Sequence, residues 1–152
     1  MTKFSLNSKL FFLIKIFIFC FIICFKAYSD NTDQFKNMVT VGQSSADVKI
    51  KIFSSLTCPH CAYFHINVVS QIKKEYVESG KVQLIFIDFP LDQAAFNASK
   101  LLNCLDKNLQ MEYLDLIYEK QSKWTAGSNI NEINENLKKI VETLGISQDS
   151  FD

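Results

Sequence analysis

A chain of 152 residues has room for one ordinary domain, and its 16 basic residues balance 16 acidic ones, so the formal net charge is zero. With a pI near 6.7, bulk charge points neither to nucleic acid nor to an anionic membrane surface, and any charge-based chemistry has to be local. Five cysteines are present, and where they fall decides the chemical class.

The N-terminus carries Lys3 and Lys9, an apolar run from Leu10 to Phe25, then Lys26 and Ala27-Tyr28-Ser29. A cationic start, an apolar segment and an A-x-S-like site before Asp30 follow the order of a signal peptide, so residues 1–29 read as a cleavable export leader. Lys15 interrupts the apolar stretch, which falls short of the ~20 residues that span a bilayer. An uncleaved N-terminal anchor is the alternative, and both place the remaining chain outside the cytoplasm. Cys20 and Cys24 are then small apolar leader residues. That leaves Cys58, Cys61 and Cys104, too few for a disulfide framework, and a C-x-x-C pair in an oxidising compartment needs a redox explanation.

Residues 30–40 read as a flexible lead-in, with Met38 to Val41 a candidate edge strand closed by Gly42. Next, Val48, Ile50 and Ile52 alternate with Lys49, Lys51 and Phe53, the period-two pattern of a strand, with the two lysines on a solvated face. From Pro59, the positions Ala62, Phe64, His65, Val68, Val69, Ile72 and Tyr76 follow helical spacing, with proline early and Gly80 at the stop. Val82 to Phe89 is nearly all apolar and β-prone, as in a strand buried on both faces, and Pro90 ends it. A strand-helix-strand unit over 48–91 therefore brackets the cysteine pair, the setting in which C-x-x-C reads as thioredoxin-like. Beyond Asp92, a candidate N-cap, residues 92–152 read as helical: about Gln93 to Asp106, Leu109 to Lys123 and Ile130 to Leu144. Asn129-x-x-Glu132 resembles a capping box, and Gly145 supplies a stop.

A dithiol exchanges disulfides only when one sulfur is a thiolate, and a free cysteine with pKa ~8.5 is mostly protonated near neutrality. With Cys58 at a helix start, unpaired N–H groups and the positive end of the helix dipole would favour the anion, and His60 would add a donor or positive charge. Cys61, one turn further in, would be the less exposed resolving thiol. Stabilising the thiolate stabilises the reduced pair, which makes its disulfide a strong oxidant.

Cys58-Pro59-His60-Cys61 resembles the active-site tetrapeptide of the DsbA family of thiol:disulfide oxidoreductases, whereas cytoplasmic thioredoxins usually carry Gly-Pro between the cysteines. Val48 to Phe64, VKIKIFSSLTCPHCAYF, is similar to that family's strand and active-site helix, and Lys81 to Leu91, KVQLIFIDFPL, to its next strand. The resemblance covers roughly Val41 to the end. It implies an α/β thioredoxin-like fold with a helical insertion, spanning 41–152. It also implies Cys58 as nucleophile and Cys61 as resolving thiol, with Pro59 and His60 completing the site. Reduced or unfolded exported proteins would be substrates, and a membrane quinone-linked thiol oxidase would regenerate the pair. No organic cofactor or metal is required, because the two sulfurs carry the electrons. The family continues into a cis-proline loop, two strands and a final helix. Here Pro59 and Pro90 are the sole prolines, so the chain reads as C-terminally truncated, with the Val48 to Phe53 strand left as an open edge.

Plainer readings stand beside these. A zinc site needs four ligands, and His60, His65 and Cys104 could join the pair only through a fold the sequence does not imply. His65 reads as a packed histidine. Cys104, spaced with Leu101 and Leu105, reads as a buried inert thiol. Trp124, Tyr113 and Tyr118 border a substrate groove or, more simply, fill a helical core. The rivals to an exported disulfide oxidoreductase are an inactive or unstable remnant of a DsbA-like gene and a membrane-anchored binding module.

Overall fold

The computed structural model describes Ile14, Lys15 and Phe17, and then residues 38–145. The expected leader lies mostly outside the described residues, as does the lead-in through residue 37. The chain divides into two units, Met1–Lys36 and Asn37–Asp152. Within the first, Ile14, Lys15 and Phe17 are helical and exposed. Among the described residues no helix is long and apolar enough to cross a membrane.

In the second unit, strands β1 (Val39–Val41), β2 (Val48–Ser54) and β3 (Val82–Asp88) form a sheet in the order β1-β3-β2. β1 runs antiparallel to β3, with Val39 opposite Phe86, and β2 runs parallel, with Ile52 opposite Phe86 and Ser54 opposite Asp88. β3 is central, which is why its sequence does not alternate: Val82 to Phe86 are all buried. Covering Leu84 and Ile85 completely contributes about 1.5–3 kcal/mol each. β1 begins inside the segment read as a lead-in, so the domain starts at or before Val39, which is buried. Gly42 turns the chain at φ 100°, and a Cβ there would lie 2.6 Å from the Val82 carbonyl oxygen.

A parallel pair needs a crossover, and α1 supplies it. It opens as Pro59–Phe64 and continues through His65–Val69, Ser70–Ile72 and Lys73–Val77, the second and fourth stretches being wide π-type turns. The extra residue per wide turn rotates the buried face away from 3.6-residue spacing. Ala62, His65, Val69 and Val77 are buried, whereas Phe64 and Tyr76, expected inward, are exposed. At Gly80, φ is 75° and its N–H bonds the Val77 carbonyl, closing the helix.

Helices α2 (Gln93–Cys104), α3 (Lys107–Glu119), α4 (Gln121–Trp124) and α5 (Ile130–Val141), with a final 3₁₀ turn Glu142–Leu144, form the second layer. Asp92 caps α2 by accepting from the Ala95 N–H at 2.7 Å. Asn129 caps α5 by accepting from the N–H groups of Asn131 and Glu132, while the Glu132 carboxylate reaches back to the Ser128 N–H. The aromatics are core and not groove: Trp124 and Tyr113 are fully buried, their polar ends donating to the carbonyls of Ile117 and Ala98.

Two further expectations are corrected. Cys104 is exposed. The buried stripe of α2 is Ala94, Ala95, Ala98, Ser99, Leu101 and Leu102, and position 104 is turned roughly 140° from its centre. The helix expected from Leu109 to Lys123 is broken at Lys120, whose φ of −97° and ψ of 13° separate α3 from α4. That break turns Gln121 and Trp124 inward, and both are buried.

Candidate active site

The site forms where β2 runs into α1. After Ser54 the chain turns, the Cys58 N–H bonds the Ser55 carbonyl, and Cys58 becomes the N-cap of α1 at φ −78° and ψ 118°. Pro59 occupies the first helical position, where a missing N–H costs nothing. The Cys58 carbonyl accepts from the Ala62 N–H at 3.1 Å, the first rung of the helix.

Both sulfurs are free and half-buried. The Cys58 side chain closes no cap hydrogen bond of ordinary geometry, yet the helix start acts on it electrostatically. The backbone N–H of Cys61 lowers its pKa most, the Cys61 thiol and the backbone N–H of His60 add to this, and burial opposes it. His60 thus contributes its backbone, while its side chain is exposed. Cys61 is pushed the other way: burial raises its pKa, and the Cys58 sulfur raises it further against the Ser55 N–H. The two thiols are therefore unequal, with the anion favoured at Cys58.

The connecting loop is tied down from the helical layer. Ser54 Oγ and the Tyr118 hydroxyl lie 2.7 Å apart, and Thr57 Oγ1 donates to Asp92 Oδ2 at 2.6 Å. Gln121 Nε2 donates to the carbonyls of Leu56 and Cys58 at 2.8 and 3.1 Å. Burial, with the nearby negative charge of Cys61, Asp88 and Cys58, pushes Tyr118 up to about 12 despite its bond to Ser54, so it stays a neutral phenol. Asp88, at the end of β3, is raised by burial, partly offset by the Asn103 amide. His65 is packed and not catalytic in position: its Nε2 lies 2.7 Å from Asp115 Oδ1, and its ring sits 4.6 Å from that of Tyr118. A cavity of about 370 Å³ opens beside Thr57, lined by Asp92, Asn129, Ile130 and Ile133 among others. Among the described residues no group of three or more His, Cys, Asp or Glu side chains gathers to hold a metal.

The structure places Cys58, Pro59, His60 and Cys61 at the start of α1 and Cys104 at the end of α2. Sequence reasoning identified Asp92 only as a cap and missed its bond to Thr57. Gln121 carried no local signal at all, since its partners lie more than sixty residues away.

Comparison with known proteins agrees with this geometry. The family model described as Thioredoxin matches residues 34–151. The crystal structure of Wolbachia pipientis alpha-DsbA1 superposes with a TM-score of 0.68 at 29% identity, covering 76% of this chain and 57% of that one. A Rickettsia bellii protein named as a protein-disulfide oxidoreductase is 27% identical over 117 residues, 76% of this chain and 44% of its own. A Bacillus cereus protein named as disulfide bond formation protein D is 30% identical over 124 residues, 75% of this chain and 57% of its own. The chain thus spans roughly half the length of these relatives. It belongs to the thioredoxin family, and within that family its likeness is to the DsbA-type proteins.

Proposed function

We propose that the protein is an exported thiol:disulfide oxidoreductase that donates or exchanges disulfides with other exported proteins through Cys58 and Cys61. The observation that carries this is the inequality of the two sulfurs at the start of α1, Cys58 pulled toward the thiolate and Cys61 held as a thiol. In the oxidised enzyme a substrate thiolate attacks Cys58 Sγ. The Cys58–Cys61 bond breaks, and Cys61 leaves and takes up a proton. A second substrate thiolate then attacks the substrate sulfur of the mixed disulfide, and Cys58 departs as a thiolate stabilised by the N–H groups of Cys61 and His60. Two electrons pass from the substrate dithiol to the enzyme pair, and no other cofactor enters.

Pro59 presets the first helical turn and His60 delivers a backbone N–H. Phe89 and Leu91, exposed and tied through their N–H groups to the loop at Ser54 and Ser55, offer apolar surface to an unfolded polypeptide. Residues 1–29 act as the export leader, a lead-in runs from residue 30 to the start of β1, and the catalytic unit follows in a periplasmic setting. A membrane quinone-linked thiol oxidase re-forms the disulfide. The test is insulin reduction by dithiothreitol: the full chain accelerates it and Cys58→Ser abolishes the acceleration. Equal activity in the two proteins overturns the proposal.

A further inference from the structure

The loop that delivers Cys58 is held by a side chain that takes no part in the exchange. Gln121 opens α4 just past the break at Lys120 and is 9% exposed. Its Nε2 group has two protons, and they go to the carbonyls of Leu56 and Cys58, the residues flanking Thr57. Leu56 is 1% exposed, so water is a poor substitute donor for its carbonyl. The Cys58 oxygen already receives the first rung of α1 from Ala62, and Gln121 is its second donor. The other ties from the helical layer, Tyr118 to Ser54 and Asp92 to Thr57, grip side chains. Gln121 grips the backbone that sets where α1 begins.

We infer that Gln121 is a positioning residue for the redox pair, whose carboxamide fixes the peptides on either side of Thr57 and so keeps the first N–H groups of α1 directed at the Cys58 sulfur. The inference rests on the dithiol chemistry proposed above. The carbonyl of Cys58 carries negative charge density on the residue that must hold an anion, and a donor bound to that oxygen withdraws some of it. Without Gln121 two carbonyls lose a partner, the N-cap gains freedom, and the aim of the N–H groups relaxes. Each change works against the thiolate and, through it, against the reduced form.

The test compares the full wild-type chain with Gln121→Met, which keeps length and removes the donor, and Gln121→Asn, which keeps the amide a methylene too short to reach both carbonyls. Circular dichroism and thermal melting establish that each variant is folded. The readouts are the pH dependence of ultraviolet thiolate absorbance and the redox equilibrium with glutathione, neither of which follows stability alone. The Cys58 pKa in Gln121→Met is expected to rise by about one unit, roughly a tenfold loss of thiolate below the midpoint, with the glutathione equilibrium moving toward a weaker oxidant. Gln121→Asn moves in the same direction, and it carries the test should Gln121→Met fail to fold. A folded variant with the wild-type pKa and equilibrium overturns the inference. A wild-type Cys58 that titrates as an ordinary thiol overturns instead the dithiol reading beneath it.

Discussion

His65 Nε2 lies 2.7 Å from Asp115 Oδ1, joining the active-site helix α1 to α3 one turn beyond Cys61. The same carboxylate receives Lys73 at 3.5 Å on its other oxygen. Half-burial alone would raise the Asp115 pKa, but the bonds and charges of His65 and Lys73 outweigh it, so the carboxyl titrates below its usual range. A depressed carboxyl contributes stability that is present above the ordinary carboxylate pKa and is lost as pH falls through the folded value. Asp115→Asn is therefore expected to lower stability at neutral pH by no more than about 1 kcal/mol, and Tm with it, given that the side chain is 49% exposed. The gap to wild type closes in acid. Thermal melts from pH 7 downward check this, and a gap that stays constant with pH would contradict it.

Asp88 has the opposite sign. Burial raises its carboxyl above the usual value, so its contribution is full below the ordinary carboxylate pKa and is lost as pH rises through the folded one. Asp88→Asn, which can still meet the Asn103 amide, is expected to raise Tm at neutral pH and to leave it unchanged in acid. The same melts run on this variant supply the measurement, and a lowered Tm at neutral pH would count against the assignment.

His60 acts on Cys58 through its backbone N–H while its imidazole is exposed. His60→Ala keeps that N–H. The Cys58 thiol is expected to stay below the ordinary thiol range, moving by less than about one unit. A shift back to the free-thiol value, read from the pH dependence of alkylation, would show that the side chain and not the helix start governs the anion.

When the proposed exchange runs in the reducing direction, Cys61 is the sulfur expected to resolve the mixed disulfide. In Cys61→Ser the Cys58 thiolate should attack the disulfide of an oxidised substrate protein, one substrate sulfur leaving as a thiolate, and accumulate as a covalent adduct visible as a mass increase on non-reducing electrophoresis that dithiothreitol removes. Cys58→Ser should trap little at Cys61, because that thiol is half-buried and its pKa is raised.

The strand-helix-strand unit around the cysteine pair was legible because each of its elements announces itself locally: alternation in Val48 to Phe53, proline after Cys58, a nearly all apolar run in Val82 to Ile87. The caps Asp92 and Asn129 were legible for the same reason. Tyr76 was misplaced because the wide turns of α1 are a property of its packing and not of residue spacing. Cys104 was misplaced because two leucine neighbours outweighed the full stripe of α2. The break at Lys120 and the reach of Gln121 to Leu56 and Cys58 arise only when two distant segments meet, and no local pattern encodes such a contact.

The most direct measurement is alkylation of the reduced full chain across pH, resolved by mass spectrometry at each cysteine. Cys58 is expected to react with a midpoint below the ordinary thiol pKa, and Cys61 only above it. Two cysteines labelled with the same midpoint would contradict the account, since nothing would then distinguish an attacking sulfur from a resolving one.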